Sequence, residues 1–188
     1  MNQTLLATLL LAAFGAAQAE SATYTIDPAH TSVTFEAVHF GTSTLRGRFD
    51  KKEGSVMLDK AAKSGKAEIT IDPSSITTGV GPLDGHLKSK DFFNAAEFAT
   101  ARFAADNFSF NGDKVSEVSG TLTLLGKTQP IVLKANNFNC YMSPVLKREV
   151  CGGDFETTIV RSQYGMGYGL PGIPDNIHML IQIEAIKQ

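Results

Sequence analysis

From residue 32 to the C-terminus the chain is written in period two. Segments 32–40, 44–49, 55–58, 66–71, 100–110, 114–124, 128–138, 155–160 and 176–186 alternate apolar with polar residues, and most are rich in Val, Ile, Thr and Phe. Alternation sends successive side chains to opposite faces of a strand, so each segment needs one dry side and one wet side. The fold is therefore all-β. About eight such strands either sandwich two sheets or close into a barrel, and alternation alone does not separate these outcomes.

The run 24–49, YTIDPAHTSVTFEAVHFGTSTLRGRF, says more about the interior. Within 32–40 one register holds Val33, Phe35, Ala37 and His39, and the other holds Ser32, Thr34, Glu36, Val38 and Phe40. An apolar face ending in an imidazole suits the wall of a cavity with a polar mouth, with a packed core as the alternative. Asp27 and Pro28 before His30 read as a turn, the carboxylate capping local amides while proline restricts φ. The chain has 12 Phe and no Trp, and Phe35, Phe49 and Phe103 all fall in inward registers. Small inward residues at Ala37, Ala101, Ala105 and Gly120 leave volume that those rings need not fill, which favours a cavity. Strands of roughly nine residues span about 30 Å, a length suited to an extended lipid tail. Each methylene such a tail buries contributes about 0.8 kcal/mol.

Asn111 and Gly112 predict a type I′ hairpin turn, and a second turn at Gly126 and Lys127 makes 100–138 an antiparallel meander. The segment 74–98 breaks the alternation. Its Pro and Gly punctuation, followed by Leu83, Leu87, Phe92 and Phe93 at roughly helical spacing, reads as an irregular connection with short helical turns across one end of the strands. A connection this long in a compact domain tends to be functional. It is either a ligand-contacting lid or a plug over the core, and the two are compatible.

Residues 1–19, MNQTLLATLLLAAFGAAQA, combine an apolar stretch with a small-residue end, Ala17-Gln-Ala19, and read as a secretory signal peptide. The start lacks Lys and Arg, so a short uncleaved anchor is the alternative. Cleavage after Ala19 leaves residues 20–188 as a single domain. No later run of apolar residues is long enough for a membrane helix. Seventeen basic against 19 acidic residues, without a basic block, exclude the electrostatic footprint of nucleic-acid binding. In an oxidising compartment the only two cysteines, Cys140 and Cys151, read as a disulfide closing a loop, since two sulfurs at this spacing without a nearby histidine make a poor metal site.

No catalytic set emerges. His30, His39, His86 and His178 lack metal-ligand spacing, and Gly165-Met-Gly-Tyr-Gly169 lacks the lysine of a phosphate loop. The expectation is a non-enzyme without metal or resident cofactor.

Four ordered motifs point to a family. Tyr24-Thr-Ile-Asp27-Pro28-Ala-His30-Thr-Ser-Val-Thr-Phe35 with His39-Phe-Gly41 and Gly47-Arg-Phe49, then His86-Leu-Lys-Ser-Lys-Asp91-Phe92-Phe93, Gly120-Thr-Leu-Thr-Leu-Leu-Gly126-Lys-Thr128, and Arg161-Ser-Gln-Tyr164-Gly165-Met166 resemble the YceI-like family of exported polyisoprenoid-binding proteins. The resemblance covers essentially the whole chain after the leader. It implies an extended lipocalin-like antiparallel barrel, a long internal tunnel, a bound quinone, polyprenyl chain or fatty-acid derivative, no catalysis, and residence in the periplasm. Carried over by position, the ligand-binding candidates are Phe35, Phe49, Phe92, Phe93, Phe103, Leu122, Leu124 and Met166, with His39 and His86 beside a head group. The chain departs from the family where Gln163 and Tyr164 replace an Asp-Phe pair, and the Tyr164 hydroxyl is expected to alter head-group polarity. The Cys140/Cys151 loop marks a subtype.

The leading expectation is a periplasmic carrier of an isoprenoid lipid. The runner-up is a non-catalytic accessory module of a membrane respiratory or stress-response system, with a packed core and the 140–153 loop as its contact. A third class is a lipid-acting enzyme using His39 or His86. Among assemblies, a homodimer is left open.

Overall fold

The alternating segments need a partner on both edges of every strand, and a closed ring provides it. The computed structural model describes residues 21–188, and the segment 1–19 read as a signal peptide lies outside the described residues. The strands are β1 (Ala22–Ile26), β2 (Ser32–His39), β3 (Ser43–Phe49), β4 (Lys52–Asp59), β5 (Ser64–Ile71), β6 (Ile76–Thr77), β7 (Ala101–Asn111), β8 (Lys114–Leu124), β9 (Lys127–Met142), β10 (Glu149–Val160) and β11 (Asn176–Lys187), with a helix α1 at Gly81–Lys88. Three barrel staves are broken in two. β1 and β2 form one, β3 and β4 the next, β5 and β6 the third, since β1 pairs with β4 and β2 with β3, while β4 pairs with β5 and β3 with β6. Each neighbour pair is antiparallel, and the ring closes because β11 pairs with β10 on one edge and with both β1 and β2 on the other. The result is an eight-stave closed antiparallel barrel rather than a sandwich.

The breaks expose backbone groups that need partners. At the first, Asp27 donates its N–H to Glu184 O at 2.8 Å. Thr31 Oγ1 donates to that carbonyl at 3.2 Å and accepts from Glu184 N at 3.3 Å. Asp27 Oδ1 accepts from Ala29 N at 2.9 Å, the turn expected of Asp before Pro. At the second break a 3₁₀ turn, Pro73–Ser75, does the stitching: Asp50 N donates to Ser75 O at 3.2 Å and Lys51 N to Ser75 Oγ at 3.0 Å.

Both hairpins of the meander are present, each with its turn shifted by one residue from the sequence reading. Asn111 pairs with Lys114, so the central residues are Gly112 and Asp113, and only Gly112 has positive φ, at 61°. This is the pattern of a type II′ turn, not I′. Leu124 pairs with Lys127, which places Leu125 at φ 51° and Gly126 at φ 69° in the I′ positions. Strand twist demands positive φ at the turn, and pairing register decides which residues supply it.

Cys140 and Cys151 face each other across β9 and β10 and are joined as a disulfide. Gly47 faces Phe35 across β2 and β3, and a Cβ at position 47 would sit 2.4 Å from the Phe35 ring. The missing side chain is what lets that ring lie across the neighbouring strand. Gly47→Ala is expected to lower stability by roughly 1–3 kcal/mol in thermal or urea melts, through forced displacement of the ring. Phe35→Leu in the same chain should recover part of the loss, whereas an additive double mutant would contradict the contact.

Candidate ligand-binding cavity

The inward faces of the staves do not meet. They enclose a wide chamber of about 790 Å³ and, deeper in the barrel, a narrow one of about 140 Å³. Val33, Ile71, Leu122, Ile159 and Met179 belong to both walls and form the waist between them. Protein interiors rarely hold voids larger than a water molecule, whose share of liquid volume is about 30 Å³. This interior is a chamber, not a packed core, and its larger part falls within the usual range of small-molecule sites.

The wide chamber gathers most of the residues singled out from sequence. Phe35, His39, Phe49, His86, Phe92, Phe93, Leu122, Leu124 and Met166 all line it. Phe103 lines the narrow chamber instead, among Leu58, Ile69, Phe138, Phe155 and Ile181. Tyr164 lies in neither wall. It ends the 3₁₀ turn Arg161–Tyr164 and is buried at 2 % exposure among Ala101, Leu124, Ile159 and Met166. Burial alone pushes its hydroxyl pKa up. Gly165, at φ 98°, then turns the chain, and Met166 is the residue that reaches the cavity. The small residues divide in the same way. Ala37 and Ala101 line the chamber, while Ala105 packs against Gly120 across β7 and β8, so close that a Cβ on Gly120 would come within 2.6 Å of the Ala105 Cβ.

The connection between β6 and β7 is both cover and wall. Leu83, Leu87, Phe92 and Phe93 pack toward Val33, Phe35 and Phe49 and also line the wide chamber. Phe93 meets Phe49 edge-on at 5.3 Å. Asp84 of α1 ties the helix to the chain entering it, accepting from Thr78 N at 2.7 Å and Thr78 Oγ1 at 2.6 Å. Those hydrogen bonds hold its carboxyl below the usual carboxylate range.

Polar groups collect at the mouth. His86 stands edge-on between Phe92 at 5.1 Å and Tyr168 at 4.9 Å, with Nε2 3.2 Å from Asp91 Oδ2. His39 packs edge-on against Phe40 at 4.8 Å, and Phe40 N donates to Gly172 O at 2.9 Å. Ser43, Arg46 and Thr78 complete the polar part of the wall, with Arg46 Nε held by Glu36 at 2.7 Å. The narrow chamber is apolar almost throughout, and the Tyr24 hydroxyl there is already donated to Glu149 at 2.8 Å.

Sequence reasoning missed Arg161, Tyr168 and Ile173, and it put Ile177 and Met179 on one face of the closing strand without naming them as ligand contacts. Arg161 is the most unusual of these, a guanidinium only 3 % exposed. It donates to three backbone carbonyls, those of Pro174, Met166 and Ile173, each at 2.9 Å. One side chain thereby shapes the whole loop that closes the mouth opposite α1. Its signal was its place at the head of the Arg161-Ser-Gln motif, which a solvated surface arginine would mimic. His178 points outward, between Glu36 and Glu156 at 3.3 Å from each. Among the described residues the one cluster of metal-ligating types is Cys140, Glu149 and Cys151, and its sulfurs are bonded to each other.

These features define the class: an eight-stave antiparallel barrel built around an apolar two-part chamber with a polar rim. The model of the YceI-like domain matches residues 24–185, and the chain belongs to that family. A UPF0312 protein of Pseudomonas paraeruginosa is 32 % identical over 192 residues, covering 100 % of both chains. The YCEI protein of Campylobacter jejuni has the same fold at TM-score 0.69 and 24 % identity, over 78 % of this chain and 86 % of its own. A domain from Saccharophagus degradans, described as a polyisoprenoid binding domain implicated in plant cell wall breakdown, superposes at TM-score 0.64 and 16 % identity over 88 % of this chain and 98 % of its own.

Arg161→Met should cost roughly 3 kcal/mol in urea melts, because three carbonyls lose their donor at once. Asp84→Asn should lower the melting temperature near neutral pH. Because the folded carboxyl titrates below its unfolded value of about 4, its contribution is complete above that value and lost as the pH falls through the lowered one. The gap between wild type and Asp84→Asn should therefore close on acidification, and a gap independent of pH would refute the tether.

Proposed function

We propose that the protein is a periplasmic carrier that holds a long isoprenoid-type lipid, a polyprenyl chain or an isoprenoid quinone, inside the barrel. The observation that carries this reading is the shape and chemistry of the interior. A chamber of about 790 Å³ adjoins a narrower apolar chamber of about 140 Å³ across five shared wall residues, and the polar side chains stand at the mouth. An extended chain threads such a space with its tail inward. Its head group would lie among His39, His86 and Arg46, where imidazole and guanidinium groups offer hydrogen bonds. Binding then needs no charged partner in the interior, since apolar burial supplies the driving force. Fold likeness to a polyisoprenoid binding domain makes isoprenoids the first ligands to try, ahead of fatty-acid derivatives. The rival reading, a solid-cored accessory module, gains nothing from an interior of this volume. Export rests on the leader-like residues 1–19 and a disulfide that suits an oxidising compartment.

Native mass spectrometry of the exported protein, followed by organic extraction, tests the proposal. One lipid per chain is expected, with an isoprenoid released. Ala37→Phe and Ala101→Phe fill the wide chamber and should reduce lipid occupancy at least tenfold while the protein still folds. A delipidated protein that takes up no polyprenol, quinone or fatty amide would defeat the reading.

A further inference from the structure

Besides Met57 and Val132, exposed singly on β4 and β9, large apolar side chains are exposed in two groups. One set, Val38, Phe40, Val80, Tyr168 and Leu170, lies at the mouth end of the barrel, and Phe40, Val80 and Tyr168 line the chamber itself. The other lies at the opposite end of the barrel, on the tip of the β9–β10 hairpin. There Tyr141 is 44 % exposed, Met142 66 %, Val145 85 % and Leu146 42 %. These residues have no role in the cavity.

The tip is a built conformation. Ser143, only 6 % exposed, accepts Lys147 N on its carbonyl at 2.9 Å and Leu146 N on its hydroxyl at 3.1 Å, while its own N–H donates to Arg148 O at 2.9 Å. Cys140 and Cys151 are bonded across the base. Val145 and Leu146 therefore stay presented to the outside without further ordering, which lowers the cost of docking them.

Among the described residues no salt bridge holds the cations beside the tip. Lys147 and Arg148 follow the apolar residues directly, Arg148 reaches the Lys187 carbonyl at 3.4 Å, and Lys187 is itself exposed. The acids nearby are engaged. Glu149 is held by Lys60 and by Tyr24, Glu184 accepts from Tyr141 at 3.1 Å, and Asp27 is paired with His30 at 2.7 Å. Apolar side chains beside unpaired cations match the interface of an anionic bilayer, where apolar groups enter the acyl boundary and cations meet the head groups. At the mouth the exposed apolar residues stand instead beside the imidazoles of His39 and His86 and an Arg46 already paired with Glu36.

We propose that the β9–β10 hairpin tip docks the protein on anionic lipid surfaces, with Met142, Val145 and Leu146 entering the interface and Lys147, Arg148 and Lys187 contacting head groups. Docking this way leaves the mouth of the chamber facing away from the bilayer. The proposal does not depend on what the cavity holds.

Co-sedimentation with phosphatidylcholine vesicles, with and without phosphatidylglycerol, tests it on the purified exported protein. Binding is expected to the anionic vesicles and should weaken as salt is raised. Each cation near such a surface is worth about fivefold in affinity, so Lys147→Glu with Arg148→Glu should reduce binding well over tenfold. Val145→Glu with Leu146→Glu should also abolish it, while circular dichroism and lipid occupancy of the chamber stay at wild-type levels. Absence of binding to either vesicle overturns the proposal. So does binding that survives both tip variants, or that is lost instead through Phe40→Glu and Val80→Glu at the mouth. Capture of the tip only by membranes carrying protein would point to a protein partner and equally overturn it.

Discussion

The fold depends on β11 being hydrogen-bonded along both edges. It meets β10 over its full length and divides its other edge between β1 and β2, so the first and last strands of the chain close the ring. Unpaired edges are the liability of any alternating β chain, and closure removes them. The constraint sits at Glu184, whose backbone binds both Asp27 and Thr31 where the first stave breaks. That break lets one stave serve two stretches of β11 without leaving backbone groups unpaired.

Closure with eight staves sets an interior that side chains either just fill or leave open for one ligand. Here alanines at positions 37 and 101 leave it open, and the phenylalanines line the space. The cover is held by polar contacts of two kinds. Asp84 binds the chain entering α1, and the buried Arg161 gathers the carbonyls of the 166–174 loop. Both act on backbone, so the mouth keeps its shape while its inward surface remains apolar. Desolvating an arginine is costly, and three carbonyl acceptors arranged around one planar group offset that cost.

Much of this was legible in the residues. Period-two alternation gave most strands to within a few positions, though β10 begins at Glu149, before the alternating segment, and the inward register of Val33, Phe35, Ala37 and His39 is the register of the chamber wall. Two strands were missed, β1, five residues long and ending at the Asp27 turn, and β6, two residues long, both too short for alternation to stand out. Tyr164 was expected at the ligand because it stands in the Arg161–Met166 motif, of which only the two end residues reach the chamber. A 3₁₀ turn has no period-two face, so adjacency to Met166 says nothing about direction. Arg161 was passed over because burial of a charge depends on distant carbonyl partners that its local sequence does not reveal.

By itself the sequence determined that the chain is all-β, that each strand has a dry face, and that its two cysteines suit a disulfide closing a loop. These properties follow from side-chain periodicity and short-range turn chemistry, which act between near neighbours. Only the tertiary structure decided that the sheet closes, that its interior is divided by a waist, and which side chains form the mouth. Those outcomes depend on volumes and hydrogen bonds summed around a ring, where residues such as Glu184 and Thr31, or Arg161 and Pro174, meet because the backbone has already brought them together.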